Sequence, residues 1–232
     1  MTYVLHYAPD NASLIVRLAL EHRGLPYRAA LVDRRAKAQH GAAFRALNPN
    51  GLIPVLETSE GALFETGAIL LYLADRHGGL GPGLDDPARG DFLKWLFFLS
   101  NTLHPALRRL FYPQNYISAE HVPALRMGTQ TDLTQHYATL EAQAAQERGW
   151  LLDGPAPSVV DFYAAALLRW PALYPVDQPR GWFDLTAYPA LTRLAAAVET
   201  LPTTVALQSA EGLGDTPFTA PRYPQPPEGS AT

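Results

Sequence analysis

The sequence predicts two domains of different class, a small mixed α/β domain followed by an all-helical one. Three observations predict this. Strand and helix signals alternate through the first 78 residues. A Gly/Pro stretch then interrupts the chain at 79–88, Gly-Leu-Gly-Pro-Gly-Leu-Asp-Asp-Pro-Ala. Beyond it strand signals fade and apolar residues recur at helical spacing.

Tyr3 to Tyr7 is a short run of aromatic and branched residues, a strand ended by Pro9. Leu14, Ile15, Leu18 and Ala19 follow helical spacing as far as Gly24. Tyr27 to Val32 is a second strand, and the polar stretch Arg34 to Leu47 a short helix. Leu52 to Glu57 and Ala62 to Phe64 pair through a Ser59-Glu60-Gly61 turn, and Gly67 to Arg76 is a helix ending at Gly78-Gly79. The order β-α-β-α-β-β-α is that of a small mixed sheet with helices on its faces. Helices follow at Arg89 to Phe111, Val122 to Gln146, Val159 to Leu173 and Pro189 to Ser209. The predicted organisation is therefore 1–78, a linker at 79–88, a helical domain at 89–209 and a Pro-rich tail at 210–232. The tail holds Pro217, Pro221, Pro224, Pro226 and Pro227 and is expected to be extended or partly disordered, draped over the surface.

Composition excludes several functions. The 232 residues contain no cysteine, so a disulfide framework, a thiolate metal site and a cysteine nucleophile are all ruled out. A net charge of -4 argues against a general nucleic-acid or anionic-membrane surface. The first residues lack the basic start and apolar run of a secretory leader, and no stretch reaches the roughly 18 apolar residues of a membrane span. The expectation is a soluble cytoplasmic protein without a metal.

Four motifs carry chemistry. In Asn48-Pro49-Asn50-Gly51-Leu52-Ile53-Pro54-Val55-Leu56, Pro49 and Asn50-Gly51 make a turn, and Pro54 cannot donate to a strand ladder. A cis Ile53-Pro54 bond would turn the Ile53 N–H and C=O outward to meet an extended peptide; a trans bond at a strand edge is the ordinary alternative. In Phe64-Glu65-Thr66-Gly67-Ala68-Ile69, Thr66 precedes a helical run. A helix N-terminus favours a carboxylate and the adjacent Glu65 an ammonium, which together suit an α-amino-acid zwitterion; Thr66 is equally suited to a simple N-cap role. Ser158-Val159-Val160-Asp161 has the form of a capping box, a structural device. Tyr7-Ala8-Pro9-Asp10-Asn11-Ala12-Ser13 gathers hydroxyl and amide groups at another helix N-terminus, where they can cap the helix or stabilise an anion such as a thiolate.

Together these segments, in this order and spacing, resemble the cytosolic glutathione S-transferase superfamily, bacterial type and nearest in pattern to beta-like members. The resemblance covers about residues 3 to 209. It implies a thioredoxin-like N-terminal domain, an all-α C-terminal domain, a homodimer, and glutathione as co-substrate. It further implies that Pro54 is cis, that Ile53 pairs with the cysteinyl part of glutathione, and that Glu65 and Thr66 hold its γ-glutamyl group. Gln39 and His40 fall where relatives bind the glycyl carboxylate, although Leu52 replaces the basic residue common in that loop. Beta-class members carry a Cys where this chain has Ala12, so mixed-disulfide chemistry on the protein is lost. Ser13 is then the first candidate to activate the glutathione thiol, Asn11 the second and Tyr7 the third. His104, Arg108, Phe111 and Tyr112 span two turns of a helix resembling the one that faces glutathione in bacterial members, and form the expected electrophile pocket, in which His104 or Arg108 is suited either to hydrogen-bond glutathione or to stabilise a leaving group.

A free thiol has a pKa of about 8.5, and a hydrogen-bond donor beside a helix N-terminus lowers it. The expected activity is attack of the glutathione thiolate on a small apolar or aromatic electrophile. Two alternatives stand beside it: a glutathione-dependent disulfide or peroxide reductase without protein cysteine, and a non-catalytic binding protein on the same fold.

Overall fold

A computed structural model describes residues 2–146 and 156–231. The first half is a four-stranded sheet of β1 (Tyr3–Tyr7), β2 (Tyr27–Leu31), β3 (Val55–Thr58) and β4 (Gly61–Phe64), ordered β2-β1-β3-β4. β1 and β2 run parallel, with Tyr3 opposite Tyr27, so the connection must cross over, and α1 (Ser13–His22) makes it. β3 lies antiparallel to β1, with Leu5 opposite Leu56, and folds back on β4 as a hairpin. Thr58 closes that hairpin: its Oγ1 accepts from the Glu60 N–H at 3.0 Å and donates to the Gly61 carbonyl at 2.9 Å. α2 (Ala42–Leu47) and α3 (Thr66–His77) complete this half, a thioredoxin-like arrangement.

The helical half holds α4 (Arg89–Phe98), α5 (His104–Phe111), α6 (Val122–Ala144), α7 (Val159–Leu173), α8 (Pro189–Glu199) and α9 (Pro202–Glu211). α7 is its axis, buried at every position but Ala172. Its start is secured by the capping box: Ser158 Oγ accepts from the Val160 N–H at 3.2 Å, and Asp161 accepts from the Ser158 N–H at 2.6 Å. Pro171 lies in the last turn and has no N–H for the Leu167 carbonyl. The Tyr137 hydroxyl, from α6, donates to that carbonyl instead, at 2.7 Å. α1 is buried against both halves, packing on α3, α7 and α9, which explains why Leu14, Ile15, Val16, Leu18 and Leu20 are all inaccessible.

Three of the expected helices are interrupted, each for a physical reason, and β3 starts at Val55 rather than Leu52. The stretch from Arg34 to Leu47 is not one helix. Lys37 has a left-handed φ of 53°, a single turn follows at Ala38–His40, and extended backbone at Gly41 precedes α2. The run from Arg89 to Phe111 is continuous, but Leu99–Leu103 widens to a π-helical turn just before Pro105, whose ring cannot sit under the Asn101 carbonyl with normal α spacing. The run from Pro189 to Ser209 breaks at Thr200-Leu201, because Pro202 cannot donate to the Val198 carbonyl; the Thr204 hydroxyl takes that acceptor at 2.6 Å.

The tail after α9 takes an extended path without helix or strand, and it is anchored along its length. Gly212 ends α9 at a left-handed φ of 65°, where a Cβ would lie 2.1 Å from the Gln225 backbone. Leu213 and Phe218 are buried, and Glu199 accepts from the N–H groups of Phe218 and Thr219 at 2.8 and 3.0 Å. Further on, the Glu228 carboxylate accepts from the Tyr7 hydroxyl at 2.5 Å, and the Ala231 carbonyl accepts from Arg34. No helix among the described residues is long and apolar enough to cross a membrane.

Candidate active site between the two halves

A cavity of about 900 Å³ opens between the sheet domain and the helices. One wall is the β1–α1 turn, with Asp10, Asn11 and Ala12; the segment after β2 adds Arg34, Lys37, Gln39 and His40. The loop before β3 supplies Asn48, Leu52, Ile53 and Pro54, and the β4–α3 junction supplies Glu65, Thr66 and Gly67. From the helical half come Ser100, His104, Arg108, Phe111 and Tyr112, then Tyr163, Trp170 and Tyr174.

Asp10, Lys37 and Glu65, at φ 47°, 53° and 70°, are the non-glycine residues with positive φ among those described, and all three line this cavity. Such backbone costs on the order of 1–3 kcal/mol and tends to concentrate at functional sites.

The Asn48 loop is locally determined. Asn48 Nδ2 donates to the Leu52 carbonyl at 2.8 Å, and Asn48 Oδ1 accepts from the Asn50 N–H at 3.0 Å. Gly51, at φ 64°, permits the loop to press on the Gln39 backbone, where a Cβ would stand 2.8 Å from the carbonyl oxygen. The Ile53-Pro54 bond is cis. Ile53 precedes the β3 ladder, with its backbone N–H and C=O unpaired among the described residues. The second cis bond, Tyr174-Pro175, closes α7 on the opposite wall.

At the head of α3, Glu65 rather than Thr66 occupies the N-cap position and Thr66 opens the helix. The Glu65 side chain makes no capping bond and Glu65 is exposed on the cavity wall, while Thr66 is buried there. Gly67 allows this turn to abut the π segment: a Cβ on it would come 3.0 Å from Ser100 Cβ.

The three candidates for thiol activation separate. Ser13 is fully buried and turns back on its own turn, donating to the Ala8 carbonyl at 3.0 Å and accepting from the Ala8 N–H at 3.3 Å. It does not reach the cavity wall, because a residue inside the first turn of α1 faces the core that α1 fills. Tyr7 is also absent from the wall. Its ring lies under Arg17, its hydroxyl is engaged by Glu228, and burial followed by that carboxylate raises its pKa far above the ordinary value. Asn11 is on the wall, and its side-chain amide makes no hydrogen bond to any described residue, with Oδ1 buried.

Asn11 is carried by a neighbour that composition and spacing did not reveal. The Asp10 carboxylate, wholly buried, accepts from Arg169 Nε and Nη2, Trp170 Nε1 and the Tyr174 hydroxyl at 2.8–3.0 Å. Its own N–H donates to Glu211 at 3.0 Å. The one sequence signal was Arg169, a cation in an apolar helical run, which demands a buried counter-charge without saying where it comes from.

His104, Arg108 and Phe111 of α5, and Tyr112 just after it, all line the cavity. His104 Nδ1 is hydrogen-bonded to the Tyr163 hydroxyl at 2.8 Å. Enclosure by protein, then the Arg108 cation, lowers its pKa from 6.5 to about 4, so the ring is neutral at pH 7. Gln39 and His40 also line the cavity, beside the Gly51 loop.

A thioredoxin-like domain facing a helical one across such a cavity is the architecture of the glutathione S-transferase class of proteins. Residues 12–76 match the family model for the glutathione S-transferase N-terminal domain. Glutathione S-transferase GST-4.5 of Xanthomonas campestris is 30% identical over 169 residues, 72% of this chain and 81% of that protein. The disulfide-bond oxidoreductase YfcG of Escherichia coli is 28% identical over 218 residues, 91% of this chain and 96% of that protein. The structure of a sphingomonad glutathione S-transferase complexed with glutathione superposes with a TM-score of 0.75 at 33% identity, covering 91% of this chain and all of that one. The chain belongs to the glutathione S-transferase family.

Proposed function

We propose that this protein binds glutathione in the cavity and joins the glutathione sulfur to a small electrophile, the whole glutathionyl group being transferred. Glu65 takes the γ-glutamyl ammonium and the α3 N-terminus at Thr66 its carboxylate. The free Ile53 peptide group pairs with the cysteinyl backbone, next to Pro54, and Gln39 and His40 receive the glycyl end. The thiol then comes to the β1–α1 turn.

The observation that carries this reading is the unengaged Asn11 amide on the cavity wall at the start of α1. An N–H donor there stabilises thiolate over thiol, and α1's positive end adds to it. Asn11 is assigned the donor role in preference to Ser13 and Tyr7, whose hydroxyls are occupied elsewhere. The thiolate attacks an electrophilic carbon, a C–S bond forms, and the leaving group departs with the bonding pair. Phe111, Trp170 and Tyr174 offer aromatic surface to the acceptor's body.

Retention on immobilised glutathione and turnover of a chloronitroaromatic acceptor test the reading. Asn11→Ala should raise the thiol pKa of bound glutathione toward the free value of about 8.5, followed by thiolate absorbance. Failure of both retention and turnover would sink it.

A second reading is supported by the 28% identity to a disulfide-bond oxidoreductase over 91% of this chain. In it, glutathione sulfur attacks a disulfide and a second glutathione resolves the product, which suits a chain without cysteine. Relative turnover of a model disulfide and the nitroaromatic separates the two. The family's usual homodimer and a cytoplasmic location complete the proposal, and light scattering on the purified protein tests the former.

A further inference from the structure

Glutathione, placed as proposed above, leaves three cations of the cavity, Arg34, Lys37 and Arg108, without a counter-charge among the described residues, and of these Lys37 is exposed to solvent. Of the carboxylates on the wall, Asp10 is neutralised by Arg169 and Glu65 is assigned to the ammonium. Arg34 contacts only neutral oxygens, donating to the Tyr112 hydroxyl at 3.0 Å and to the Ala231 carbonyl. Arg108 likewise donates to the Tyr116 hydroxyl at 2.8 Å, with its guanidinium over that ring. Neither has an ion pair among the described residues. Both side chains are only part-exposed, so part of their hydration is already lost.

Arg34 and Arg108 line the same cavity, each held by a tyrosine hydroxyl, of Tyr112 and Tyr116 respectively, on its helical side. Arg108 lies in the last turn of α5, Tyr112 directly follows that helix, and Arg34 reaches across from the sheet domain to the Tyr112 hydroxyl. The bonds to neutral hydroxyls hold both guanidiniums in place while leaving further N–H donors free, since each carries five. The glycyl end of glutathione is assigned elsewhere, at Gln39 and His40 beside the Gly51 loop.

We infer that the second substrate is an anion, an aromatic or apolar molecule bearing a carboxylate, which Arg34 and Arg108 bind while its body lies against the aromatic wall. The inference rests on the glutathione reading and names the acceptor that reading left open. It also gives the tail a part in the site, because the Ala231 carbonyl is one of the two groups orienting Arg34.

The test uses two unreactive probes of the same shape, 3,5-dinitrobenzoate and 3,5-dinitrobenzamide, so that no turnover is needed. Each is titrated by tryptophan quenching, Trp170 lining the cavity, with and without saturating glutathione. Glutathione itself is titrated separately. The benzoate should bind about tenfold tighter than the benzamide, the gain of one charge-assisted contact set. Added salt should erode that ratio, and Arg108→Gln and Arg34→Gln should each bring it toward one. Equal affinities in the wild type, or a ratio that neither variant nor salt changes, would overturn the inference. Absence of glutathione binding with the benzoate preference intact would instead defeat the glutathione reading and leave the anion site standing.

Discussion

The carboxylate of Asp10 and the guanidinium of Arg169, 159 positions apart in the chain, form a two-point ion pair in which neither side chain has any accessible surface. Arg169 also donates to the carbonyls of Pro217 and Arg222 at 2.9 and 3.0 Å. One residue of α7 thus ties the β1–α1 turn, which carries Asn11, to the C-terminal tail.

Removing one partner of this pair strands the other. Arg169→Met or Asp10→Asn should each cost about 3–5 kcal/mol. The double variant should cost clearly less than the sum, because the uncompensated charge is gone. Urea unfolding of the four proteins measures this, and additive losses would contradict the coupling.

Ser13 and Asn11 should behave as opposites. Ser13→Ala breaks a buried bond to Ala8 and should cost about 1–2 kcal/mol of stability while leaving the pKa of bound glutathione thiol where it was. Asn11→Ala should move that pKa and barely change stability. Paired denaturation and thiolate titrations distinguish them, and a raised thiol pKa in Ser13→Ala would return the donor role to the serine.

A cavity-wall histidine and a buried glutamate titrate in opposing directions. His104 falls from 6.5 to about 4, so between those values the unfolded chain binds a proton the folded one refuses, and stability is lost as pH drops through this window. Glu211 rises from 4.5 to about 7, through burial that outweighs the pull of Arg17 and the Asp10 N–H. There the folded state holds the proton, so stability is lost as pH climbs from 4.5 to 7. The wild type should therefore show a shallow profile from pH 4.5 to 6.5, where the windows overlap. Glu211→Gln removes one slope, and its stability should rise by about 2 kcal/mol across the same interval, the full conversion being trimmed because His104 meets cavity water. Unfolding at several pH values checks this; a flat profile in Glu211→Gln would refute it.

The Tyr137 hydroxyl serves a carbonyl that Pro171 leaves open. Tyr137→Phe keeps the ring and strands the Leu167 oxygen in the core, at a cost of about 1–3 kcal/mol. If Pro171→Ala is added, the restored N–H should recover part of that loss, read by denaturant midpoint.

The legible parts of this chain were those whose physics is local. Asn48, Pro49 and Gly51 make a turn from their own side chains and backbone freedom, and Ser158 and Asp161 cap α7 across three residues, so both can be read in sequence order. The alternation of strand and helix signals gave the sheet domain for the same reason, as did the positions of Glu65 and Thr66. Proline marks the break before α9 and the widening before Pro105, although apolar periodicity persists across both and predicts continuous helix.

The direction in which a side chain points at a turn is not local. Tyr7, Asn11 and Ser13 offer similar chemistry within seven residues, and packing alone distinguished them. Filling the space between sheet and α7 turned Ser13 inward, Glu228 from the tail engaged Tyr7, and Asn11 was left on the wall. Asp10 and Arg169 meet only because α1 lies against α7, and no spacing rule joins residues so far apart. Arg34, Lys37, Trp170 and Tyr174 reach the cavity by the same route. The amino-acid sequence by itself determined most of the elements, the Asn48 loop and the absence of a protein thiol, since short-range hydrogen bonding and composition govern those. The tertiary structure decided which groups face the cavity and which charges there go unpaired, since burial and neutralisation depend on what packs against each residue from elsewhere in the chain.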